Sequence, residues 1–81
     1  MTAVLYRCGA PTDRLCACGR VARELRRAGI PFETVRVPLR RARRDEVERV
    51  SGQRVVPVLV LDGEPICDSR RIVEHLRWRF P

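Results

Sequence analysis

The chain has no Lys and no Asn; all 17 of its basic residues are Arg. A GC-rich coding sequence produces such a set of cations, so we read no function from it. Aromatic residues make up only 5% of the chain. With so few stacking side chains and no recognised binding motif, a nucleic-acid partner is not expected. Long apolar runs are also missing. The longest, Val55 to Leu61, is interrupted by Pro57 and falls far short of the roughly 20 residues a membrane helix needs. The N-terminus lacks a charged patch followed by a long apolar stretch, so no signal peptide and a cytoplasmic location are expected. There are no repeats or linkers, and the one biased stretch is Arg-rich, from Arg40 to Arg44.

What is present suits one small folded unit. Apolar residues reach 44% of 81, too many for a disordered tail and enough for one modest core. A single domain over residues 1–81 is expected. The formal charge of +7 attracts anions, among them acidic peptides and small anionic thiols. Four cysteines, Cys8, Cys16, Cys18 and Cys67, in a cytoplasmic chain point to catalysis or metal binding rather than a disulfide framework.

Ala3 to Tyr6 is β-prone and predicts a first strand; turn chemistry follows from Cys8 to Asp13. Cys18, Val21, Ala22, Leu25 and Ala28 recur at helical spacing and predict a helix ended by Gly29 and Pro31. Phe32 to Val37 alternates as a second strand. Arg41 to Val50 predicts a weaker helix ended by Ser51-Gly52. Positive charge at a helix start is unfavourable by roughly 0.3–1 kcal/mol per residue. So either this helix begins after Arg44, or the Arg cluster serves a partner. A solvated face is its simpler use. Val55 to Leu61 predicts a strand buried on both faces. Asp62-Gly63 is a hairpin signal, and Glu64 to Cys67 a fourth strand. Asp68-Ser69 supplies an N-cap before a helix with Ile72, Val73, Leu76 and Phe80 inward. Trp78 and Phe80 are expected to close the core. The order is βαβ then αββα: an α/β fold with a four-stranded mixed sheet flanked by three helices.

Pro57 is the most informative residue. Proline is normally excluded from a central strand because it removes a ladder hydrogen bond. Either the Val56–Pro57 bond is cis, freeing Val56 backbone groups to pair with an extended ligand, or a trans proline stands just before the strand.

The string Gly52 to Leu59, then Asp62-Gly63, then Asp68 to Leu76 resembles the second half of glutaredoxins and of glutathione-transferase N-terminal domains. Leu5-Tyr6 and Leu25 to Glu33 resemble the first half. The resemblance implies a thioredoxin fold with a cis proline at Pro57. It implies that the backbone of Val56 pairs with glutathione and that Asp68 and Ser69 grip its γ-glutamyl end. A helix N-terminus is a ready anion site, although plain capping also accounts for Asp68 and Ser69. Arg54 either meets a carboxylate of an anionic thiol or is a solvated turn residue.

Redox members of this family carry Cys-x-x-Cys at the start of the first helix. Counting back from Gly29 places Cys18 at the second position and Leu15 at the first, a departure that leaves three readings open. Cys16 is a helix-start nucleophile, where a thiolate is stabilised, acting with Cys18 or alone. Or Cys8, Cys16 and Cys18 hold a metal or an iron–sulfur cluster, though their spacing matches no common zinc pattern. Or the cysteines are structural and the domain only binds, with Cys18 packed as a small hydrophobe and Cys67 beside the groove. Tyr6 either activates a bound thiol or packs in the core, and His75 is expected at the surface.

The expected function is a small thiol–disulfide oxidoreductase acting on disulfide-containing proteins or mixed disulfides. Cys16 and Cys18 are its catalytic candidates; Arg54, Val56, Pro57, Asp68 and Ser69 are its thiol-binding candidates. Glutathione or another low-molecular-weight thiol serves as co-substrate, with no tightly bound cofactor and no membrane. The competing class is a non-catalytic module binding a thiol, a metal or a protein partner. Complete glutathione transferases add an all-helical domain. The chain ends at Pro81, so full transferase activity is not expected.

Overall fold

The computed structural model describes residues 2–9, 16–37, 44–53 and 55–81. Strand β1 (Ala3–Arg7) leads into helix α1 (Ala17–Arg27) and strand β2 (Glu33–Arg36). Helix α2 (Asp45–Ser51), strands β3 (Val58–Leu61) and β4 (Glu64–Cys67) and helix α3 (Ser69–Arg79) follow. The sheet order is β2-β1-β3-β4. The α1 crossover makes β1 and β2 parallel, and the other neighbouring pairs are antiparallel.

Period-two alternation divides the strand side chains between two cores. Ala3, Leu5, Leu59 and Leu61 point to one face, where Val21, Ala22 and Leu25 of α1 and Ile72 and Leu76 of α3 cover them. Tyr6 and Val58 point to the other, with Val47 of α2 and the half-buried Val4 and Val60. Burial on both faces explains why β3 is apolar at every position. Edge strand β4 tolerates Pro65 because its outer side has no ladder to break.

Local chemistry sets the ends. After α1, Gly29 takes φ 71°, and two capping bonds close the helix: Gly29 N–H to Arg26 O at 3.1 Å and Ile30 N–H to Leu25 O at 3.0 Å. This is a Schellman stop, with Ile30 and Leu25 meeting in the core. Asp62 and Gly63 both have positive φ, 51° and 85°, as a tight hairpin turn requires.

Helix α1 is tied to α3 by charge. The Glu24 carboxylate is buried and accepts from Arg27 Nε at 2.5 Å and from Arg77 Nε, on α3, at 3.1 Å. Arg27 also donates to Phe80 O at 3.0 Å. Burial pushes the Glu24 carboxyl up, but the guanidinium groups of Arg77 and Arg27 outweigh it and hold the group below its usual range.

Three expectations need correction. Strand β3 begins at Val58, so Pro57 stands immediately before the strand rather than inside it. Helix α2 begins at Asp45 rather than Arg41, with Arg44 as N-cap, the start after Arg44 that was one of the two alternatives; acidic Asp45, Glu46 and Glu48 then occupy the first turn, where the dipole favours them. The remainder of the Arg40–Arg44 stretch lies outside the described residues. Trp78 does not close the core. It is 79% exposed, while Phe80 packs against the α1–α3 core. Trp78 is two residues from buried Leu76, which turns it to the opposite face of α3.

Candidate functional site

One end of the sheet gathers most of the candidate residues. The last register pairs there are Tyr6 with Val58, and Val58 with Cys67. One step further, Arg7, Pro57 and Asp68 follow side by side at that end. Ser69 then opens α3, and Val56 precedes Pro57. The Val56–Pro57 bond is cis, as in the first alternative, while Pro57 stands just before the strand, as in the second. Asp68 caps α3, its Oδ1 accepting from the Arg70 N–H at 3.4 Å. Its φ of 75° with ψ of 125° lies outside the left-handed helical region and is a conformation that non-glycine residues rarely hold. Arg54 lies outside the described residues.

The cysteines meet at the same end. Cys16 is the N-cap of α1, in extended conformation, and its Sγ accepts from the Gly19 N–H at 3.3 Å. This is the capping role that Ser or Asp plays elsewhere, filled by sulfur. Cys8, just past β1, places its Sγ 3.7 Å from Cys16 Sγ, and its thiol donates in that contact. Arg7 Nη2 approaches Cys16 Sγ at 3.9 Å. Cys18 faces inward at 3% exposure, and its Sγ accepts from the Cys8 N–H at 3.4 Å. Burial pushes the Cys18 thiol up to about 11; the Cys8 N–H opposes this, while the neighbouring Cys8 and Cys16 sulfurs add to it.

Cys16 therefore has Cys8 as its sulfur neighbour, not only the Cys18 of the Cys-x-Cys step. The reason is helical geometry: side chains two apart leave a helix on different faces. The same packing brings together the three cysteines of the metal alternative. Yet among the described residues no three His, Cys, Asp or Glu side chains are arranged to hold a metal ion. Cys67 is half-buried against the α2-side core. Tyr6 is buried, and its hydroxyl donates to Glu46 Oε1 at 3.4 Å. Burial, reinforced by Glu46, pushes its phenol up.

Two residues had no place in the sequence reading. Arg7 is only 2% exposed, and its Nε donates to Cys8 O at 3.3 Å. Arg36 Nη1 donates to the same carbonyl at 3.4 Å. Together they brace the turn that carries Cys8. The available signal was Arg7 ending an otherwise apolar strand at the sheet end where the loops gather. No described helix is long and apolar enough to cross a membrane.

A βαβ–αββα chain with a cis proline ahead of its central strand and a cysteine capping its first helix is a thioredoxin-fold domain. Within that class it belongs to the glutathione S-transferase N-terminal domain family, whose model matches residues 12–81. A glutathione transferase homologue from Sulfitobacter, solved with bound glutathione, superposes with a TM-score of 0.80 at 18% identity, over 99% of this chain and 38% of its own. The β-etherase LigF from Sphingobium sp. strain SYK-6 gives 0.80 at 28% identity, over 100% and 32%. A glutathione transferase homologue from Burkholderia, also with bound glutathione, gives 0.72 at 26%, over 100% and 40%. The chain thus spans about a third to two fifths of the length of these proteins. No curated protein matches it.

Proposed function

We propose that the chain is a glutathione-dependent thiol–disulfide oxidoreductase with Cys16 as its nucleophile. The observation that carries this is the cap: Cys16 Sγ sits at the N-terminus of α1, half-exposed, with the Gly19 N–H aimed at it. A sulfur in that position is presented to a substrate by a rigid helix rather than by a loop. Its thiolate attacks one sulfur of a disulfide, forms a mixed disulfide with it, and releases the other sulfur as a thiolate.

The groove supplies the second half of the reading. Val56, Pro57, Asp68 and Ser69 meet at the sheet end that also carries Cys8 and Cys16. An N-cap carboxylate at α3 suits the γ-glutamyl amine of glutathione, and the helix N-terminus beside it suits a carboxylate. The Burkholderia homologue with bound glutathione supports glutathione as the thiol. The positive charge of the chain favours any small anionic thiol of this type.

The test is turnover of a glutathionylated peptide with reduced glutathione as the second substrate. We expect release of the peptide thiol at a rate proportional to protein and saturable in glutathione. A rate equal to that of glutathione alone, from a folded sample that binds glutathione, overturns the catalytic reading and leaves a binding module.

A further inference from the structure

We infer that Cys8 is the resolving thiol of Cys16, so that this domain cycles through a Cys8–Cys16 disulfide that spans from the end of β1 to the cap of α1. The inference rests on Cys16 being the nucleophile, and it names the group that completes the cycle.

Three observations converge on Cys8. Its Sγ lies 3.7 Å from Cys16 Sγ and already hydrogen-bonds to it. Both sulfurs belong to half-buried residues, in contrast to the buried Cys18. The turn that holds Cys8 is braced by Arg7 and Arg36 through the Cys8 carbonyl. Cys18 is placed for a different task. It is buried to 3% exposure and accepts the Cys8 N–H, which fixes the backbone of Cys8 against α1. Its position two residues along from Cys16 turns the two side chains apart. Cys18 therefore orients Cys8, and Cys8 faces Cys16.

The Cys16 thiolate attacks a glutathione mixed disulfide at the glutathione sulfur; the Cys16–glutathione bond forms, and the substrate leaves as a thiolate. Cys8 gives its proton to solvent and attacks Cys16 Sγ. The Cys8–Cys16 bond forms and glutathione leaves as its thiolate. Two electrons have passed from the two cysteines to the substrate. Two further molecules of glutathione return them and depart as glutathione disulfide.

The sequence makes the test direct. Trypsin cleaves after Arg7, Arg14 and Arg20, which separates Cys8 from Cys16 and Cys18. The reduced chain is exposed to glutathione disulfide, quenched in acid, alkylated and digested without reduction. The expected product is peptide 8–14 cross-linked to peptide 15–20, with fragmentation across Ala17 placing the bond on Cys16 and leaving Cys18 alkylated. In the C8S variant we expect a stable glutathione adduct on Cys16 and no cross-link. An internal disulfide within peptide 15–20, a Cys8–Cys18 bond, or an adduct on Cys16 that persists equally in parent and C8S overturns the role of Cys8 while leaving Cys16 as nucleophile. A parent chain whose Cys16 takes up no glutathione and forms no disulfide removes the nucleophile itself. The parent map gives its answer even if a variant folds poorly.

Discussion

The buried thiol of Cys18 accepts a hydrogen bond from the backbone N–H of Cys8 at 3.4 Å, linking the inner face of α1 to the end of β1. Cys18 is nearly inaccessible and its thiol is pushed up to about 11, first by burial. It should therefore be the slowest of the four cysteines to alkylate near neutral pH. Time-resolved iodoacetamide labelling with peptide mapping checks this. Labelling of Cys18 as fast as that of Cys16 in the folded chain would contradict its placement.

Glu24 is the electrostatic joint between α1 and α3. Replacing it with Gln removes a buried carboxylate shared by Arg27 and Arg77 and should cost about 1–3 kcal/mol at neutral pH. For a domain of this size that is roughly 4–8 °C in Tm per kcal/mol. The sign with pH follows from the lowered carboxyl. The unfolded chain binds the proton more readily, so the stabilisation is complete above the ordinary carboxylate range. It is lost as pH falls through the lower folded value. Thermal melts of parent and E24Q from neutral to acid pH should show a gap that narrows on the acid side. A constant gap would mean that packing, not charge, sets the cost.

Asp68 separates capping from ligand binding. Asn is as good an N-cap as Asp and has the same shape. D68N should thus keep the Tm of the parent. Loss of the carboxylate should weaken glutathione binding several-fold, up to about tenfold. D68A loses the cap as well and should lose about 1 kcal/mol or more of stability. Calorimetric titration with glutathione beside thermal melts reads both effects. Unchanged affinity in D68N would reduce Asp68 to a cap.

Tyr6 is held in the core with its hydroxyl on Glu46. Y6F should cost about 0.5–1.5 kcal/mol and leave turnover within roughly twofold. A large fall in kcat at nearly unchanged Tm would instead make Tyr6 the activator of a bound thiol.

The fold was legible where local patterns and the packing demanded the same thing. The apolar run before Asp62-Gly63, the helical spacing from Cys18 to Leu25 and the Asp68-Ser69 cap each specify an element, and together they allow one mixed sheet. A single signal misleads where a second one opposes it. Apolarity alone turns Trp78 inward, but its offset from Leu76 puts it on the outer face. The apolar run predicts a strand from Val55, but Pro57 cannot donate to the ladder and the strand begins at Val58. The site was less legible because its contacts run between elements. The closeness of Cys8 to Cys16 depends on the end of β1 meeting the start of α1 across residues that carry no periodic signal. Buried Arg7 depends on the same junction. Glu24 is visible in sequence only as an i,i+3 partner of Arg27; its second partner, Arg77, is brought in by α3.

The central claim is that the sulfur capping α1 performs the chemistry. Its most direct test is the initial rate of glutathione-dependent reduction of a glutathionylated peptide by the parent chain and by C16S, with equal folded fractions verified by circular dichroism. Serine also caps a helix well, so the fold should survive while the nucleophile is lost. The account predicts a rate for C16S indistinguishable from glutathione alone. A folded C16S that retains the parent rate would contradict it.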